Sequence, residues 1–147
     1  MATAAAVDPL EKGLSALEHG HTYLAMSCLE EAMASGKTPL LCSHLAYCMA
    51  VNNKGLDSAI ALAREALDAE PGNIHFRLNL GRILLLAGQK EEAIRVLRQG
   101  LYYGCSPELL AQLDQFGTRK APLFPALPRG HFANKYSGLL LTRLGLR

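Results

Sequence analysis

A spacing of 34 residues constrains this chain more than any other feature. Ala25, Ala59 and Ala93 stand 34 apart, and so do Leu29, Ala63 and Leu97. Ala32, Ala66 and Gly100 keep the same interval, as do Met33, Leu67 and Leu101. Small residues recur where two helices must approach closely, and larger apolar ones recur where the gap is filled. Upstream, Gly13, Ala46 and Gly81 mark a matching close contact. The pattern is clearest over residues 73–101. Ile74, Leu78, Gly81, Leu84 and Leu85 recur at helical spacing until Gly88 breaks the run, and Ala93, Ile94, Leu97 and Leu101 begin a second apolar face. Asn73 is the expected N-cap of the first of these helices and Gly104 the expected C-cap of the second. Each helix has a single apolar face. An antiparallel partner covers part of it and a stacked copy of the pair covers the rest.

A helix-turn-helix period of this length resembles the tetratricopeptide repeat. The resemblance rests on Leu80-Gly81-x-x-Leu84 followed by Ala93-x-x-x-Leu97, and on Leu45-Ala46-x-x-Met49, Ala59-x-x-x-Ala63 and Pro71. The first copy is weaker, with Gly13-x-x-Ala16 and then Ala25-x-x-x-Leu29. Pro9, Cys42 and Arg77 stand where the family carries a Trp, and Ala16, Met49 and Leu84 where it carries a Tyr. The turn of the middle copy, Asn52-Asn53-Lys54-Gly55, has one extra residue. The resemblance covers roughly residues 8–105. It implies an all-α fold: a right-handed superhelix of three helix-turn-helix repeats, a capping helix, and an extended C-terminal tail with a short helix.

The composition agrees with close-packed helices. Half of the 147 residues are hydrophobic, yet there are four Phe and no Trp, so the core must be aliphatic and rich in Ala. The four cysteines form no C-x-x-C pair, and three fall on helical apolar faces. The first seven residues lack the basic residue and long apolar run of a secretory signal. The apolar runs, 83–87 and 139–141 among them, are too short to span a bilayer. A soluble, cytoplasmic protein with reduced thiols is therefore expected.

Charge is unevenly placed. All 13 acidic residues lie at or before Asp114, whereas Arg119, Lys120, Arg129, Lys135, Arg143 and Arg147 carry the tail to +6. The body, with nine basic against thirteen acidic residues, is −4. Residues 1–117 are assigned to the repeat domain, with repeats at about 8–38, 39–72 and 73–106 and a capping helix at 107–116. Thr38 and Pro39 fit an N-cap and first helical position, Asp57 an N-cap for the fourth helix, and Ser106-Pro107 the start of the capping helix, which Gly117 stops. Leu109, Leu110 and Leu113 give that helix its apolar side.

Residues 118–147 form a separate basic tail. The stretch A-P-L-F-P-A-L-P from 121 to 128 is extended, and a short helix is expected over about 134–144, with Tyr136, Leu139, Leu140 and Leu144 to bury. A tail of this layout resembles one that follows such repeats in some small bacterial proteins. Its apolar residues predict that it folds back on the repeats, as a cap or as a plug in the groove. The docking could occur within a monomer or in a tail-exchanged dimer.

No catalytic constellation is present: no G-x-S-x-G, no P-loop and no H-E-x-x-H. Cys42-x-His44-x-x-x-Cys48 is the best metal candidate, but zinc wants three or four protein ligands, and a small hydrophobe plus a groove histidine is the simpler reading. His19 and His21 flank a turn glycine, and the Glu30-Glu31 and Glu91-Glu92 pairs fit solvated helix faces. In the family that the chain resembles, the first helices of each pair line a concave groove that holds a peptide. The residues of those helices outside the repeat core are Leu40, Ser43, His44, Tyr47, His75, Leu78, Asn79 and Arg82. Some members grip a terminal carboxylate with Lys, Asn and Arg there. This chain offers Leu10 and Leu14 instead, and Asn79 with Arg82 does not complete that clamp. The implied function is a non-enzymatic adaptor for a protein or peptide partner, with no cofactor, metal or small-molecule substrate. A bacterial secretion-type chaperone is the alternative. Nucleic acid or membrane binding through the +6 tail ranks third.

Overall fold

The computed structural model describes residues 8–115, which form seven helices and, among the described residues, no strand. They are α1 (Pro9–Glu18), α2 (Thr22–Ser35), α3 (Pro39–Val51), α4 (Leu56–Ala69), α5 (Ile74–Leu86), α6 (Lys90–Gly100) and α7 (Pro107–Gln115). Helices α1 and α2, α3 and α4, and α5 and α6 pack as pairs, α3 also lies against α5, and α7 closes the stack on α6. The expected tail helix and proline stretch lie outside the described residues, as does Gly117.

The odd-numbered helices start on side-chain caps. Asp8 Oδ1 accepts from the Leu10 amide at 3.1 Å, Thr38 Oγ1 from Leu41 at 3.3 Å, Asn73 Oδ1 from His75 at 3.1 Å and Phe76 at 3.3 Å, and Ser106 Oγ from Leu109 at 3.3 Å. The even-numbered helices have no such cap, because each enters directly from a tight backbone turn. In these turns Gly20, Asn53 and Gly88 adopt φ of 76°, 55° and 76°. The next amide then reaches back along the chain: His21 to Ala16 O, Lys54 to Met49 O and Gln89 to Leu84 O, each 2.8 Å. This is the left-handed closure that ends a helix with its last carbonyls satisfied. The extra residue of the middle turn is Gly55, at φ 89°, and it rather than Asp57 precedes α4. Asp57 falls in the first turn, where a carboxylate still favours the helix dipole. The other correction is at Gly104: α6 ends at Gly100, and residues 101–103 form a separate turn.

The recurring columns are buried. Ala25, Ala59 and Ala93 are fully inaccessible, as are Leu29 and Leu97. A Cβ on Gly13 would stand 2.9 Å from Leu29 Cγ, and one on Gly81 would stand 2.5 Å from Leu97 Cδ2. The middle copy meets the same requirement differently: Ala46 and Ala63, both buried in one cluster, share the space that glycine and leucine divide in the outer copies. Leu109 from α7 covers the end of the core against Leu78 and Leu97, over Gly100. Leu113 packs at its edge, whereas Leu110, expected beside them, is 42% exposed.

Candidate functional site

The candidate groove residues form two stripes. Leu40, His44 and Tyr47 are spaced so that they share one face of α3, and His75 and Arg82, two turns apart, share one face of α5. All five keep some exposure. The structure removes three expected residues from that surface. Leu78 is buried against Leu97 and Leu109 because α7 covers its side of α5. Ser43 and Asn79 are buried between α3 and α5, where Asn79 Nδ2 donates to Ser43 Oγ at 3.0 Å. They set the seam between the two helices instead of facing a ligand.

That seam shapes the site. Helices α3 and α5 meet closely, but α1 has little direct contact with α3. The space between is a cavity of about 350 Å³, lined by Leu14, Leu17 and Glu18 of α1, Leu40 and His44 of α3, and Asn73, His75 and Phe76 at the start of α5. Its lining is mostly apolar, with polar groups at the rim, as in many binding clefts. His44 Nδ1 donates to the Leu40 carbonyl at 2.9 Å. Burial pushes the His44 pKa below its ordinary value; the Leu40 carbonyl opposes this and nearby His75 adds to it. Burial thus disfavours the charged form of the His44 ring. Beyond this cavity, the Arg82 guanidinium lies over the Tyr47 ring, 5.8 Å from its centroid. Such stacking orients the planar group while leaving its donors available.

Leu17, Glu18 and Phe76 are absent from the residues that the sequence nominates for the groove. The signal was present for α1, since Leu14, Leu17 and Glu18 share a helical face, but that copy is the weakest of the three. The metal candidate separates: Cys42 and Cys48 are buried, and burial raises the Cys48 thiol to about 11. Among the described residues no three His, Cys, Asp or Glu side chains gather as metal ligands. His19 and His21 stack at 6.5 Å beside the first turn.

Residues 50–104 match the family model described as "Tetratricopeptide repeat". Over that stretch the chain is similar to tetratricopeptide repeats. The matched stretch runs from the end of α3 through α6, where the repeat columns are strongest. The fold is also similar to the NMR structure of the second TPR domain of the human RPAP3 protein, determined in complex with HSP70 peptide SGPTIEEVD. The TM-score is 0.60 at 15% identity, over 75% of this chain and 92% of that one. No curated protein matches the chain at a significant level. Among the described residues of this repeat protein, no helix is long and apolar enough to cross a membrane.

Proposed function

We propose that the protein is a non-enzymatic interaction module that holds an extended segment of a protein partner across the concave face of α1, α3 and α5. The observation that carries this reading is the apolar cavity between α1 and the α3–α5 stripe, rimmed by His44, His75 and Glu18. The RPAP3 domain, alike in fold, was solved with a peptide bound, which supports the same class of ligand here. The groove residues that remain available are Leu40, His44, Tyr47, His75 and Arg82, with Leu14, Leu17 and Phe76 as apolar lining. Tyr47 and Arg82 are the residue types that most often dominate an interface.

The test is selection of peptides from a random displayed library against the full chain, followed by titration of the selected sequences into variants. Leu40→Arg, which places charge in the cavity, and Tyr47→Ala should each weaken binding by about tenfold or more, with helicity retained. Selected peptides that bind both variants as tightly as the parent would place the site on another surface.

A further inference from the structure

The cavity and the Arg82–Tyr47 pair lie on one face, and their separation is fixed by α5. His75 lines the cavity and Arg82 is seven residues on, so the two are separated by ~10 Å along the helix axis. An extended chain advances ~3.3 Å per residue, so the same distance spans about three residues of ligand. The two places differ in chemistry. The cavity takes an apolar side chain: Leu14, Leu17, Leu40 and Phe76 line it, and His44 spends its ring N–H on the Leu40 carbonyl. Arg82 offers a charged fork that lies over the Tyr47 ring.

The charges around Arg82 leave it open to an anion. Among the described residues it forms no ion pair within 4.0 Å. The Glu108 carboxylate, bonded to the Ser106 hydroxyl, stays charged within electrostatic reach of His75 and Arg82 but forms no ion pair with Arg82, so the guanidinium donors are not taken up by it. At the opposite side, Glu18 lines the cavity and disfavours an acidic residue there. The face is therefore polarised: an acid is repelled beside Glu18 and attracted at Arg82. The planar guanidinium fork suits the two oxygens of a carboxylate.

Resting on the concave-groove reading, we propose that the ligand is an internal acidic-hydrophobic segment: a leucine-sized side chain seated in the cavity, and an Asp or Glu about three residues away on Arg82. Recognition through a side-chain carboxylate needs no free chain terminus, so the segment can lie within a longer protein. Glu18 makes the placement of the acid directional, because moving it to the other side of the anchor sets it against like charge.

The test uses short Gly/Ser peptides titrated into isotope-labelled full-length protein, read by amide chemical shifts. One peptide carries a single Leu. Two others add an Asp about three residues to either side, because an extended segment can run in either direction. The proposal expects one Asp peptide to bind about tenfold more tightly than the Leu-only peptide, an advantage that fades at high salt. Arg82→Glu should abolish that advantage and transfer it to a peptide with Lys in place of Asp. Leu40→Arg should remove binding of every peptide. If the Leu-only peptide binds, depends on Leu40, and gains nothing from either Asp, the groove stands and the acidic component falls. A gain from either Asp peptide that survives Arg82→Glu also overturns the contact. Shifts absent from α3 and α5 with all peptides at millimolar concentration would overturn both readings.

Discussion

Gly81→Ala should destabilise the protein in its native background and stabilise it when Leu97 is also replaced by Ala. A methyl at position 81 would lie 2.5 Å from Leu97 Cδ2 and 2.7 Å from Cγ, closer than carbon atoms pack. Leu97 has no room to yield, because it is fully buried between Leu78 and fully buried Leu109. Overpacking of this kind costs about 1–3 kcal/mol, against a helix-propensity gain of about 1 kcal/mol for Gly→Ala. The net loss is about 1 kcal/mol. Leu97→Ala alone leaves a cavity and costs about 2–5 kcal/mol.

In the Leu97→Ala background the clash is gone, and the new methyl enters part of the vacated space. Gly81→Ala should then stabilise by about 1 kcal/mol, a coupling of about 2 kcal/mol between the sites. The middle repeat already holds this solution, since Ala46 and Ala63 are its equivalents and both are buried. The four proteins are compared by urea unfolding, followed by circular dichroism, with the midpoint shifting at constant slope. For a chain of this size, 1 kcal/mol corresponds to roughly 3–6 °C in Tm. If Gly81→Ala has the same sign in both backgrounds, and the effects add within about 0.5 kcal/mol, the columns do not face each other as described.

Ser43→Ala should cost about 1–3 kcal/mol, because it leaves the buried Asn79 amide without its partner; an unchanged unfolding midpoint would show that water replaces the hydroxyl there. With a disulfide reagent at pH 8, exposed Cys105 should react first, and Cys48 should stay protected until unfolding, since the thiolate is the nucleophile and burial raises this thiol to about 11. The folded state then holds a proton that the unfolded chain releases near the ordinary thiol value of 9.0, so Cys48 makes stability fall as pH rises from about 9 to 11. Native-state labelling of Cys48 at the Cys105 rate would contradict that burial.

The repeat period was legible because it is written in side-chain size, which burial enforces at every copy. Ala59 and Gly81 could be placed at close contacts without coordinates. Helix ends were less legible. Asp57 looks like a cap, but the extra residue in the middle turn let Gly55 take a positive φ and start α4 earlier. The groove was legible only as a face. Helical spacing gathers Leu40, His44 and Tyr47 on one side of α3, since residues on one helix are related by the period alone. It could not separate Asn79 from Arg82, because that depends on how closely α5 approaches α3. Ser43 and Asn79 each look like exposed polar residues in isolation; only their pairing makes them a buried seam. Leu78 was misplaced for a related reason, since the helix that covers it begins about thirty residues later.

Arg77 shows how a departure from the repeat pattern can still serve the repeat. It stands where the family carries a large aromatic, and it is only 7% exposed. Its stem lies against the close contact at Gly100, where an added Cβ would meet Arg77 Cδ at 3.6 Å. Its head donates to the Pro71 carbonyl from Nη2 at 2.8 Å and Nε at 3.2 Å, and to Gln99 Oε1 at 3.3 Å, while lying 4.7 Å from the Tyr103 ring centroid. The guanidinium thus joins the turn before α5 to the turn after α6. Neutral acceptors and an aromatic face satisfy its donors without a buried carboxylate, which avoids desolvating a second charge. An aromatic ring could occupy the volume but could not bond Pro71 and Gln99 together. In the second repeat the equivalent Cys42 packs with Ala66 and Phe76, and those apolar contacts fill the site. Among the described residues, α7 follows the third repeat in place of a further pair. There a side chain that is apolar along its stem and hydrogen-bonded at its tip can hold both turns while α7 supplies the apolar cover through Leu109.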